Sequence, residues 1–204
     1  AGIGKASQYV SIAPGIDSVK LSSKAKVLKA LDFGKEKRPI VMWLGRFTQV
    51  KRPDRVLALA KKCPNLFFVM AGGGDLLEKV KTAAPSNVSV IGWAEAADLF
   101  GAADIILSTS ENEGMPVALI EAQLASKPVV ATNVGGVSEV VINNKTGFVT
   151  RKNTEDLAKA IEMLINSKNL RTAQGKAAKA HAIKAFSVEK MIKAHVSLYK
   201  KLAK

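Results

Sequence analysis

Between residues 40 and 150 the sequence repeats one alternation, a short apolar run followed by a stretch with helical spacing, and this restricts the fold more than any other feature. The runs are IVMWLGRF (40–47), LFFVMAG (66–72), VSVIGW (88–93), DIILSTS (104–110), PVVATNV (128–134) and GFVT (147–150). Helical patterns lie between them: from Pro53, over 75–82, over 96–102, over MPVALIEAQLAS, and over 137–142. Runs this short that are apolar at successive positions suit strands buried on both faces, and parallel strands need helical crossovers. The expected fold is therefore α/β: a doubly wound parallel sheet of about six strands with helices on both faces, followed by C-terminal helices. Asn153 or Thr154 is placed to cap a helix with Leu157, Ile161 and Leu164 on one face. A second stripe runs through Val188, Met191, Ile192, His195, Leu198, Tyr199 and Leu202.

Composition narrows the function classes. The 204 residues suit one domain, and 48% hydrophobic content suffices for a core. No run approaches the roughly 18 apolar residues of a membrane span, and the opening AGIGKASQYV has no signal-peptide pattern, so a cytoplasmic protein is expected. The single Cys63 reads as a packed thiol. The net charge of +14 would suggest nucleic acid if it were spread over the chain, but residues 40–167 carry 13 basic and 13 acidic side chains. The excess sits at the ends, 8 basic against 3 acidic in 1–39 and 10 against 1 in 168–204. Only Phe186 and Tyr199 offer stacking in the basic tail of 168–204, so no nucleic-acid partner is expected. Solvated helix faces or an anionic membrane surface account for the charge. His181 and His195 read as packing or surface residues.

In an open parallel sheet, ligands bind beyond the carboxyl ends of the strands. Four such places stand out. GRFTQVKR sets Arg46 and Lys51 after the first strand, two cations able to clamp a diphosphate. GGGD follows the second strand, but its spacing is not the dinucleotide fingerprint. STSENEGMPVALIEA is the strongest: Glu111 and Glu113 follow a buried strand, Gly114 admits close approach, and Pro116 opens a helix whose first amides lack partners. Such amides suit phosphate oxygens, while carboxylates beside them suit sugar hydroxyls. Glu121 lies farther along that helix among apolar neighbours, where an unpartnered carboxylate is costly. NVGGVSEV, with Gly135 and Gly136, reads alone as a turn.

Taken in order, GID (15–17), GRF with Lys51, the glycines at 72–74, EGMPVALIEA, PVVATNVGG and TGFV resemble the C-terminal, donor-binding domain of a retaining glycosyltransferase of the GT-B fold, family 4 type. The resemblance implies a UDP- or GDP-sugar donor. Arg46 and Lys51 would neutralise the departing diphosphate and Glu113 would contact the transferred sugar, so these three are the candidate catalytic residues. Gly114, Met115, Pro116 and Val117 would supply backbone near sugar and diphosphate, Glu121 would hold the ribose, and Gly45, Gly73, Gly92 and Trp93 would surround the rest of the nucleotide. No Asp-x-Asp motif is present, in keeping with a family whose chemistry needs no metal or other cofactor. The resemblance divides the chain into an interdomain connection (1–20), a Rossmann-like donor domain (21–186) and an amphipathic helix (187–204) packing on an N-terminal domain that 204 residues do not contain. It implies that this chain alone binds donor without transferring sugar. A nucleotide-sugar epimerase, an ordinary dinucleotide-binding domain, and a non-catalytic nucleotide-sugar-binding or membrane-surface scaffold are the alternatives.

Overall fold

The computed structural model describes residues 4–5, 8–18 and 21–203; parts of the expected connection (1–3, 6–7, 19–20) and the terminal Lys204 lie outside the described residues. All six apolar runs form strands: β1 (Ile40–Leu44), β2 (Phe67–Ala71), β3 (Val88–Gly92), β4 (Ile105–Ser108), β5 (Val129–Thr132) and β6 (Gly147–Thr150). They make one sheet in the order β3-β2-β1-β4-β5-β6, and every neighbouring pair is parallel. The expected doubly wound sheet is therefore present. Chain order reverses at the β1–β4 neighbours, which leaves a crevice above their carboxyl ends.

Alternation along β1 shows how both faces are covered. Ile40 and Met42 enter one buried cluster with Val27, Leu99, Phe100, Leu119 and Ile120. Val41 and Trp43 enter another with Val56, Leu59, Leu157 and Ile161. The first layer holds α1 (Lys24–Ala30), α4 (Ala96–Ala102), α5 (Val117–Leu124), α6 (Val137–Val140) and α8 (Lys168–Ala185); the second holds α2 (Pro53–Lys62), α3 (Leu77–Ala83) and α7 (Thr154–Asn166). Asn153 caps α7, its side chain accepting from the Asp156 amide at 2.8 Å, and Leu157, Ile161 and Leu164 are buried as the pattern predicts.

Three differences have clear causes. The strands stop short of their apolar runs because the apolar residues past the strand ends belong to packed loops; Phe47, in the loop after β1, is fully buried against Trp43, ring centroids 5.0 Å apart. Helix α1, capped by Ser23 and packed on α4, falls inside the expected domain but in a stretch with no helical pattern; KAKVLKA shows no stripe because Val27 is its one buried residue. Pro116 does not open α5. It is the extended residue before Val117, with ψ 105°.

The last helix, α9 (Val188–Leu202), touches the body at its start: the Ile16 amide donates to the Phe186 carbonyl at 2.8 Å, and Gly15 leaves no room for a Cβ against Val188. None of its residues is buried, and Ile192, Val196, Tyr199 and Leu202 are exposed. Among the described residues no helix is long and apolar enough to cross a membrane.

Candidate functional site

The loops above the crevice are fixed to one another by backbone contact. Gly45 donates to the Ala71 carbonyl at 3.0 Å and Phe47 to the Gly73 carbonyl at 2.8 Å, so the β1–α2 and β2–α3 loops lie flat against each other. Gly72, at φ 138°, sits where any Cβ would strike the Gly45 carbonyl. The second pair of loops repeats this arrangement: Gly136 donates to the Glu113 carbonyl at 3.1 Å, and a Cβ on Gly135, at φ 48°, would strike that same carbonyl. The glycines of NVGG therefore support the backbone of Glu113 and Gly114, a role beyond that of a turn.

The expected catalytic residues converge. Lys51 Nζ lies 2.6 Å from Glu113 Oε1, which also accepts from the Ser110 hydroxyl at 2.7 Å. The pair is sheltered, with side-chain exposures of 25% for Lys51 and 10% for Glu113. Lys51 is held in place from below. The Thr109 hydroxyl receives the Trp43 indole N–H at 3.0 Å and lies 2.9 Å from the Lys51 carbonyl and 3.0 Å from that of Arg52. Ser110 and Thr109 escaped sequence reasoning. The signal available was two small hydroxyl residues at the end of an otherwise apolar strand.

Glu111 does not face the crevice. Its carboxylate binds Arg52 at 2.6 Å, Lys152 at 2.9 Å and Arg55, while its amide donates to the Val50 carbonyl at 2.7 Å. The Lys152 ammonium, with the Arg55 and Arg52 guanidiniums, holds its carboxyl at about 2, below the ordinary 4.5. The stretch 111–121 thus divides: Glu111 fastens the β4–α5 loop to α2, and Glu113 faces the ligand side. These bonds also keep Arg52 in the left-handed region, φ 52°, immediately before Pro53.

Two clefts open above the strand ends. One, of 330 Å³, is lined by Gly45, Arg46, Lys51, Ser108, Glu113, Met115, Pro116 and Val117 and lies at the β1–β4 switch point. The first amides of α5, on Val117 and Ala118, have no backbone acceptor among the described residues. The other, of 500 Å³, lies above β1, β2 and β3 and is lined by Gly45, Arg46, Gly72, Gly73, Trp93 and Glu95. Arg46 belongs to both, is exposed, and has no hydrogen-bond or ion-pair partner among the described side chains. Gly73 and Gly92 each leave open space where a Cβ would stand, and the Trp93 side chain is exposed. Gly92, Gly114 and Glu121 line neither cleft. Glu121 is half-buried on α5 without a bonded partner among the described residues, and burial pushes its carboxyl above the ordinary range. Among the described residues no three His, Cys, Asp or Glu side chains are grouped to hold a metal ion.

The family model described as "Glycosyl transferases group 1" matches residues 29–181, most of the chain. The chain belongs to this family. An uncharacterised glycosyltransferase of Methanocaldococcus jannaschii is 31% identical over 170 residues, which cover 79% of this chain and 48% of that protein. This group 1 glycosyltransferase chain therefore spans about half the length of that relative. Two solved structures share its fold. HepE of Anabaena, crystallised with UDP and glucose, superposes with a TM-score of 0.88 at 21% identity over 97% of this chain and 58% of that one. The C-terminal domain of a group 1 family protein, LpcC, from Francisella tularensis superposes with a TM-score of 0.69 at 21% identity, over 85% of this chain and 100% of that one. The second correspondence is with a C-terminal domain alone, as the motif order implies.

Proposed function

We propose that this chain is the donor-binding half of a retaining glycosyltransferase that takes its sugar from a UDP- or GDP-sugar. The observation that carries the reading is the cleft at the β1–β4 switch point. There one free cation, one sheltered Lys51–Glu113 pair and the open amides of α5 face the same 330 Å³. Arg46 and Lys51 neutralise the diphosphate as the bond from the anomeric carbon to its oxygen breaks, an electrostatic contribution in place of a metal ion. Glu113 accepts hydrogen bonds from the transferred sugar. The backbone from Gly114 through Met115 and Pro116 to Val117 lies along sugar and phosphate, and Glu121 accepts from the ribose hydroxyls. Gly45, Gly73, Gly92 and Trp93 bound the nucleoside end. The UDP carried by HepE, which shares the fold, fits the same assignment.

The acceptor site belongs to an N-terminal domain, so these 204 residues bind donor without transferring it. Residues 1–20 are the connection into the donor domain of 21–186, and in the terminal segment 187–204 the helix α9 is the one that covers the other half. The exposed apolar stripe of α9 supports that division. The same stripe, beside Lys200 and Lys201, also supports a non-catalytic role at an anionic membrane surface. Vesicle co-sedimentation with and without 187–204 separates the two.

The main test is an NMR titration of the chain with UDP, GDP and their sugar conjugates. Shifts should cluster at Arg46, Lys51 and Glu121, and R46A and K51A should weaken both diphosphates. A spectrum unchanged at millimolar ligand would sink the reading.

A further inference from the structure

The 500 Å³ cleft above β1, β2 and β3 has an uneven supply of hydrogen-bonding side chains. Its inner wall is glycine backbone, Gly72 and Gly73, which offers room for a flat ring. Arg46, at its boundary with the switch-point cleft, is committed to phosphate in the reading above. At the outer wall stand Trp93, 78% exposed, and Glu95. Glu95 occupies the cap position of α4, and its side chain makes no capping bond, so its carboxylate is not used by the helix amides. It has no ion-pair or hydrogen-bond partner among the described side chains. The nucleoside end of the cleft is thus edged by an unengaged carboxylate, an acceptor with no donor capacity while ionised.

From this placement we infer that the cleft selects a guanine base and that Glu95 is the specificity-determining residue, so that the donor is a GDP-sugar. The inference rests on the donor-site reading and refines it. Guanine presents two adjacent donors on its Watson–Crick edge, the ring N1–H and the exocyclic amine, which match the two oxygens of one carboxylate. Uracil presents a single N–H between two carbonyl oxygens, so a carboxylate that meets its N–H also meets two acceptors. Adenine offers its exocyclic amine beside an unprotonated ring nitrogen and gains one bond at most. Discrimination therefore comes as much from repulsion of uracil as from attraction of guanine. Trp93 supplies a flat apolar surface beside Glu95 that any base can stack on, and it does not discriminate.

The test is calorimetric titration of the 204-residue chain with GDP, UDP and ADP. GDP should bind at least about tenfold more tightly than the other two, a modest share of what a good bidentate pair provides because Glu95 is open to water. E95A should lower GDP affinity to the level of UDP while leaving UDP unchanged or slightly improved. E95Q, whose amide offers one donor and one acceptor, should favour UDP. Glu95 is exposed, so an unchanged melting temperature will show that both variants are folded. UDP binding as tight as GDP in the unaltered chain, with R46A weakening both, overturns the guanine inference and leaves the donor reading standing. Binding of none of the three overturns both.

Discussion

Replacing Glu111 by Gln tests the claim that this residue is a fastening and not a ligand group. In the folded chain three cations converge on its carboxylate and hold it at about 2 against an ordinary 4.5. Expressed fully, that gap would correspond to about 3 kcal/mol of stability at neutral pH. The side chain is 34% exposed, and water screens such pairs, so the expected loss in E111Q is about 1 kcal/mol. For a chain of this size that is a fall of about 2–4 °C in melting temperature. The sign is set by a depressed acid: its contribution is complete above the unfolded value near 4.5 and is lost as pH falls towards 2. Urea unfolding of both proteins should therefore show a deficit for E111Q at pH 7 that begins to shrink below about pH 5. A deficit that stays constant between pH 7 and pH 3.5, or no deficit at pH 7, would refute the assignment. Because Arg55 is almost wholly buried and in E111Q loses its charge partner, keeping the Thr109 carbonyl at 2.9 Å and a neutral amide oxygen, a loss somewhat above 1 kcal/mol is consistent with it.

Other outcomes follow from the same geometry. K51M and E113Q should each cost about 1–2 kcal/mol in urea unfolding, and the double variant less than their sum, since removing either partner strands the other in a sheltered place. G135A should destabilise by more than about 2 kcal/mol, read as a fall in melting temperature, whereas G73A should be nearly silent because nothing stands where its Cβ would be. If Glu121 holds the ribose, nucleoside diphosphate affinity should decline on acidification starting above the ordinary carboxylate range, because burial raises that group; E121Q should bind weakly with a flatter pH profile by titration.

The strands were legible because both of their faces are buried, so their apolar residues form unbroken runs. Helix α7 was legible for the complementary reason, an apolar stripe over a cap. Helix α8 was harder: its buried residues are Gln174, Gly175, Ala178 and Ala182, small or polar, and Gly175 lies against the Ser126 carbonyl where α8 crosses the end of α5. A face made for close approach has no hydrophobic period to count. At the site, residue types were readable one loop at a time, but their joining was not. Lys51 and Glu113 are 62 positions apart, and nothing local says that Glu113 pairs with Lys51 while Glu111, two residues earlier, turns to α2. The glycines at 135 and 136 looked like an isolated turn because the backbone they accommodate belongs to another loop.

That accommodation has a consequence for protein engineering. Loop β1–α2 is shaped to loop β2–α3, and loop β4–α5 to loop β5–α6, by main-chain contacts that leave no slack for a side chain at Gly72 or Gly135. Loop swaps between relatives, the usual way to transplant substrate preference, should therefore fail when one loop is moved alone and succeed when the interlocked pair is moved together. The transferable unit is the pair.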